Sequence, residues 1–279
     1  MFTNEQKEEI VREYKEGSSA YVIAKKYNIK PHKIYYILKS MNVESRSNKE
    51  NSRKYDYDKS YFKKIDTPEK AYWLGFIYAD GYVSEQKDGS NKIFGIALAV
   101  KDIDHLRKFK KAIKATYPIT TYNPSPNCYS TGEYSRIQIC GDEIFNDLGK
   151  HGVVPHKTCV LKPPNIDKEL IPHFIRGYND GDGCITKATT SYAVKIVGTE
   201  DMLQFIQEFI ELHDVAKIHK FYKRRHTDQV MLIDLRGNTQ VKNFLDLIYK
   251  DSTVHLDRKY RKYLDLCHGT VERNGNITC

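Results

Sequence analysis

The feature that most constrains this chain is a pattern that occurs twice. Trp73-Leu74-Gly75-Phe76-Ile77-Tyr78-Ala79-Asp80-Gly81 can be laid over Ile175-Arg176-Gly177-Tyr178-Asn179-Asp180-Gly181-Asp182-Gly183, and both copies end in a small residue, an aspartate and a glycine. Gly75 and Ala79 are spaced i, i+4, as are Gly177 and Gly181, and residues so spaced share one face of a helix. Each copy, read as a helix, therefore carries a strip without bulk where a second backbone can come close. If the two strips pack on each other, Asp80 and Asp182 emerge side by side at a common end.

The repeat continues beyond the helices. Val100–Leu106 matches Val197–Leu203, and Ile137–Gly141 matches Ile233–Gly237, in the same order. Each half reads as helix, two strands, helix, two strands, helix. In the first half, Pro68 opens a helix that Gly81 ends, and Lys87-Asp88-Gly89-Ser90-Asn91 is hairpin-turn chemistry. Asp102 is placed to cap the next helix, strands follow near Ile119 and Ile137, and Asp142 to Leu148 is helical. The class is α+β, with two pseudo-symmetric αββαββα subdomains over 61–162 and 163–279.

Ahead of them, residues 4–41 read as three short helices, with Gly17-Ser18-Ser19 and Asn28 at the turns and Pro31 opening the third. Residues 1–24 carry Lys7, Arg12 and Lys15 against five glutamates, whereas 25–54 carry nine Lys or Arg against Glu44 and Glu50. The third helix and the stretch after it thus form the basic surface. Ser18–Val43 resembles the helix-turn-helix family, in which such a helix reads DNA. The resemblance puts His32, Lys33, Tyr35 and Tyr36, with Arg46 just beyond, against the duplex. The boundaries are 1–44 for this all-α module and 45–60 for a basic polar linker.

Net charge +9 favours a polyanionic partner, and 40% hydrophobic residues are enough to form a core. The N-terminus is polar and lacks a signal-peptide core, and no apolar run approaches membrane-spanning length, so the expected setting is cytoplasmic or nucleoid-associated, with no membrane partner. Six cysteines without a C-x-x-C pair read as reduced thiols, and His151 with His156 reads as a surface pair. The chain runs from Met1 to Asn276-Ile277-Thr278-Cys279 without a His-Asn splicing pair, which argues against a self-contained intein.

A carboxylate in the last turn of a helix faces the negative end of the macrodipole, at a cost of about 0.3–1 kcal/mol. Two placed side by side add like-charge repulsion. A hard divalent cation relieves both penalties, and such an ion held between acids can activate water and stabilise the leaving oxygen of a phosphodiester. A calcium loop at Asp180-Gly181-Asp182 does not fit, because Cys184 and Ile185 stand where an acid or amide and a glycine are needed.

At these residues the sequence resembles the LAGLIDADG homing endonucleases over residues 60–266, with Phe174–Gly183 the closer of the two motif copies. The resemblance implies a metal-dependent cut of double-stranded DNA with Mg²⁺ or Mn²⁺ as cofactor. Asp80 and Asp182 would be the metal acids, with the carbonyls of Ala79 and Gly181 helping. Lys157 and Lys259 match the lysines that the family places near each scissile phosphate. Lys101 is a weaker candidate to position water, better read as surface charge. The first copy departs from the family at Tyr78, where an aspartate is common. Two other readings stay open, a non-cleaving DNA-binding regulator on the same fold and an RNA maturase assisting intron splicing, for which RNA would be the partner.

Strand alternation turns Ile137, Ile139, Val194 and Ile196 inward and Arg136, Gln138 and Lys195 outward. Outward Arg and Gln suit base edges in a major groove. Lys223, Arg224 and Arg225 add positive charge in a later loop. With both halves in one chain, a monomer on a long non-palindromic site is expected.

Overall fold

A computed structural model describes residues 2–16, 18–45, 54–123, 132–189, 191–224 and 227–274. The chain divides into two units, Met1–Asp56 and Tyr57–Cys279. Arg46 and Arg225 lie outside the described residues.

The first unit is all helical: α1 (Asn4–Lys15), α2 (Ala20–Lys26) and α3 (Pro31–Ser40). Thr3 and Gln6 form a reciprocal capping box at the start of α1, and the Ser19 hydroxyl accepts from Val22 N–H at the start of α2. Asn28 turns the chain at φ 52°, a left-handed conformation that asparagine tolerates better than most residues. Ile10, Tyr14, Ile23, Ile34 and Leu38 interlock as a core belonging to this unit alone. Lys26 reaches Glu13 at 2.6 Å and Glu9 at 3.4 Å, tying α2 to the acidic α1. Helix α3 buries Ile34, Ile37 and Leu38 and leaves His32, Lys33, Tyr35 and Tyr36 exposed.

In the second unit, helix α4 (Pro68–Asp80) runs straight into β1 (Gly81–Ser84), followed by β2 (Ile93–Ala99), α5 (Ile103–Ala112), β3 (Ile119–Tyr122), β4 (Tyr134–Cys140) and α6 (Asp142–Lys150). The order then repeats with α7 (Ile171–Asp182), β5 (Gly183–Lys187), β6 (Tyr192–Gly198), α8 (Glu200–Leu212), β7 (Tyr222–Arg224), β8 (Thr227–Arg236) and α9 (Asn238–Tyr249). A further helix, α10 (Asp257–Asn274), was not foreseen from the repeat; where it begins, the first half has only a 3-10 turn, Lys157–Cys159. Tyr57, Tyr61 and Phe62 are buried, so the chain ahead of α4 already belongs to this unit.

Each half holds one four-stranded antiparallel sheet, β1-β2-β4-β3 and β5-β6-β8-β7. The registers coincide: Gly81 pairs with Ile96 as Gly183 pairs with Ile196, and Gly95 with Gln138 as Lys195 with Asp234. The alternation expected from sequence is present, with Ile137, Ile139, Val194 and Ile196 buried and Arg136 exposed. The mixed α+β class with two like halves therefore stands.

Helices α4 and α7 pack along the glycine strips. A Cβ on Gly75 would collide with the Phe174 carbonyl, one on Gly177 with the Tyr72 carbonyl, and one on Gly181 with the Ala79 side chain. Both helices are buried over most of their length, which explains why their apolar pattern shows no clean solvent face. Tyr72, Trp73, Phe76 and Phe174 fill the space beside the strip.

One local expectation fails. Asp102 sits at the start of α5 but makes no capping bond; both its carboxylate oxygens accept from Arg258 Nε, at 3.0 and 2.9 Å. A charge-assisted pair to a guanidinium outcompetes a bond to a neutral backbone N–H. The result ties α10 of the second half to the first half, and Lys108 adds a second tie to Asp257 and the His255 carbonyl.

Candidate active site at the paired helix ends

Because α4 and α7 run side by side and end together, Asp80 and Asp182 are brought into one place. An atom added to Gly181 would lie 3.2 Å from Asp80 Oδ2, so the Asp80 carboxylate rests against the residue that precedes Asp182. Burial pushes the Asp80 carboxyl up to about 6, the nearby Asp182 charge pushes the same way, and Lys259, Lys157 and Arg258 only partly offset them. Each aspartate is the last residue of its helix, where the macrodipole is unfavourable to it. The fold thus holds the Asp80 carboxyl, with a second acid nearby, where its ionised form is disfavoured.

Two lysines close the same end. Lys157 is buried at 7% exposure, and its ammonium donates to the Ala79 carbonyl at 3.0 Å. Lys259, at 2% exposure, donates to the carbonyls of Asn179 and Asp180 (both 2.7 Å), Gly181 (3.2 Å) and Gly183. Burial lowers both amines, Lys259 to about 8. The carbonyls left open at the end of α7 and the neighbouring Asp180 favour the ammonium form of Lys259 against that burial. The carbonyls of Ala79 and Gly181, which the sequence reading gives to a metal, each accept from one of these ammoniums.

Beneath Lys259 lies a buried polar chain that sequence reasoning missed. Asp180 is fully buried and accepts from Tyr249 Oη at 2.5 Å, Tyr72 Oη at 2.8 Å and Leu256 N–H at 2.7 Å. Tyr72 donates its proton to Asp180, so His105 Nε2, 3.0 Å away, must be the donor in their contact. Burial drops His105 to about 3, which keeps the ring neutral. Arg176, also buried, donates to the carbonyls of Val254 and Ile248 and stacks its guanidinium over Tyr72 at 5.2 Å. A tyrosine at 72 and a histidine at 105 look like ordinary core residues in sequence. The signal available was Asp180 itself, a second acid on a helix whose face is otherwise closed.

The remaining sequence candidates lie elsewhere. Arg136 is exposed with its guanidinium over the Tyr122 ring at 5.0 Å, and Gln138 is half-exposed opposite Gly95. Lys195 lies 3.9 Å from Asp234, which instead binds Arg236 through Nε at 3.1 Å and Nη2 at 2.7 Å. Asp234 thus commits one oxygen, Oδ2, to Arg236, an exposed residue that the sequence reading did not single out. Lys223 and Arg224 belong to the edge strand β7. Lys101 is exposed in a short turn ahead of α5. His151, read as half of a surface pair, is half-buried, and its Nε2 contacts the Phe62 carbonyl at 2.9 Å.

The donor set at the helix ends is two carboxylates from two chain segments, and among the described residues no cluster of three or more His, Cys, Asp or Glu is present. That chemistry fits a hard cation such as Mg²⁺, which keeps several waters and takes one or two carboxylates plus substrate oxygens. It does not fit zinc. Among the described residues no helix is long and apolar enough to cross a membrane.

Solved structures similar to this chain include meganuclease I-SmaMI bound to uncleavable DNA, at 13% identity over 72% of this chain and 89% of that chain, TM-score 0.46. They also include the LAGLIDADG homing endonuclease I-GzeII in complex with its DNA target, at 12% identity, 77% and 94% coverage and TM-score 0.49. LAGLIDADG meganuclease I-CpaMI bound to uncleaved DNA is similar at 12% identity, 75% and 94% coverage and TM-score 0.48. No family model matches the chain, and no curated protein matches it in sequence.

Proposed function

We propose that this protein is an endonuclease that cuts double-stranded DNA, with a divalent cation held by Asp80 and Asp182. The observation that carries the reading is the Asp80 carboxyl, raised to about 6 beside a second aspartate at the junction of two buried helices. A carboxylate held at a cost in the free protein beside a second acid is what a cation site requires. A bound Mg²⁺ or Mn²⁺ would supply an activated water and stabilise the leaving oxygen.

The chain's own residues do the rest. Asp80 and Asp182, one from each half, would hold the cation. Lys157 and Lys259 keep positive charge where phosphates approach. Arg136, Gln138, Lys195 and Arg236 present donors from the exposed faces of the two sheets, suited to groove edges. In the N-terminal unit, the exposed face of α3 with His32, Lys33, Tyr35 and Tyr36 acts as a separate, helix-turn-helix reader of the DNA.

The test is incubation with Mg²⁺ and a genomic or randomised DNA pool, followed by sequencing of the ends produced. Asp80→Asn and Asp182→Asn should each abolish double-strand cleavage, with DNA binding retained in a parallel mobility-shift assay. Full activity in either variant overturns the assignment. Binding without any cleavage by the unaltered protein would favour a DNA-binding regulator instead.

A further inference from the structure

The two halves differ at the sixth motif position, Tyr78 in α4 and Asp180 in α7, and this position touches the segment that brings in each lysine. Asp180 Oδ2 accepts from Leu256 N–H at 2.7 Å. Leu256 immediately precedes α10, and its carbonyl receives the N–H groups of Lys259 at 2.9 Å and Tyr260 at 3.0 Å. Asp180 therefore fixes the backbone where α10 begins, and Lys259, in that first turn, returns its ammonium to the carbonyls of residues 179, 180, 181 and 183. A closed loop results, running from α7 through the Asp180 side chain to Leu256, on to Lys259 and back to α7.

In the first half the Tyr78 hydroxyl donates to the His151 carbonyl at the end of α6. Gly152 follows at φ +89°, and a Cβ there would lie 2.8 Å from Tyr78 Oη, so the hydroxyl fits against a residue that has to be glycine. The chain then reaches Lys157, whose ammonium contacts the single carbonyl of Ala79. One hydroxyl makes one anchoring bond. A carboxylate gathers three donors and holds its lysine against four carbonyls.

We propose that the sixth-position residue of each half is a positioning residue for the lysine of that half, Asp180 for Lys259 and Tyr78 for Lys157, and that the unequal anchors make the two catalytic halves inequivalent. The part concerning cleavage rests on the endonuclease reading; the positioning does not.

The test uses the full-length protein without metal, acylated at its lysines for a short time and read residue by residue by mass spectrometry. In the unaltered protein Lys259 should react more slowly than Lys157. Asp180→Asn should speed Lys259 about tenfold and leave Lys157 unchanged, because a buried carboxyl that accepts from three donors, Leu256 N–H among them, is lost. Tyr78→Phe should do the reverse, speeding Lys157 about threefold, since a single bond is lost. Should Asp180→Asn fold poorly, Tyr72→Phe removes one donor from the same oxygen while sparing Leu256, and should give a smaller rise confined to Lys259. Equal change at both lysines, or none, overturns the proposal, because a general loosening would expose both. Under cleavage conditions Asp180→Asn should slow the cut in one strand and Tyr78→Phe the cut in the other. A protein that labels as stated yet cuts no DNA would remove the endonuclease reading and leave the positioning intact.

Discussion

Asp80 makes a direct statement about stability against pH. Its folded carboxyl is raised from 3.8 to about 6, so between those values the folded protein holds the proton more tightly than the unfolded chain does. The penalty from the ionised group is thus fully present above about pH 6, and stability is regained as pH falls from 6 toward 4. Asp80→Asn should then raise the melting temperature of the metal-free protein at pH 8 by a few degrees, about 1 kcal/mol once water access is allowed for, and change it little at pH 4. Differential scanning fluorimetry at the two pH values measures this. A drop at pH 8 would mean that the carboxylate is stabilising, contrary to the geometry. Mg²⁺ should raise the melting temperature of the unaltered protein above pH 6 and lose that effect near pH 5, where protons compete for the same oxygens.

The acids were legible in sequence because glycine strips leave few choices: two helices that must touch along Gly75 and Gly177 bring their final residues together. The lysines were placed by motif, and their bonding was not foreseen. Nothing in a linear reading says that Lys259 meets four carbonyls, since that depends on α10, a helix outside the repeat. The Asp102 cap went wrong for a related reason: local chemistry points to a capping residue, but Arg258, far along the chain, supplies a stronger partner. Tyr78 looked like a departure from the motif, and its hydroxyl proves to have a partner of its own in the His151 carbonyl.

At the scale of elements, the junction of α4 and α7 is the most demanding packing in the molecule. Gly75 and Gly177 each face the main chain of the opposite helix, so an added methyl meets backbone that cannot rotate away. Gly177→Ala should destabilise the protein by about 3 kcal/mol or more, as overpacking against backbone does at the upper end of its range, and should separate the two acids. Gly149, near the end of α6, is exposed and has nothing within 4 Å of a Cβ. Gly149→Ala should instead be neutral or stabilise by about 0.5 kcal/mol through helix propensity. Urea unfolding of the two variants side by side checks the pair; similar values would show that the close approach is not what makes position 177 glycine. The sheets were easier to read than this junction, because one face of each is exposed and the period of two survives in the sequence.

At the scale of the whole molecule, the halves share register but not reading groups. Gln138 stands opposite Gly95, whereas its counterpart Asp234 stands opposite Lys195 and orients Arg236. A half-site reader built on Gln138 favours adenine, and one built on a carboxylate-held arginine favours guanine. A dimer of identical subunits would read a palindrome, since the two half-sites would meet the same side chains. One chain with two unlike faces has no such requirement. The N-terminal unit has its own core, and the larger unit begins with buried residues from Tyr57, so cutting the chain after Asp56 leaves intact packing on each side. Residues 57–279 should therefore fold alone and, on the proposed function, cleave the central site as a monomer, but bind it more weakly and with a shallower dependence on salt, because the phosphate contacts proposed for the α3 region would be lost. Sedimentation on the mapped site at several salt concentrations decides the matter. A two-to-one complex on a palindrome would remove the single-chain reading, and an unchanged salt slope would remove the N-terminal unit as a DNA reader.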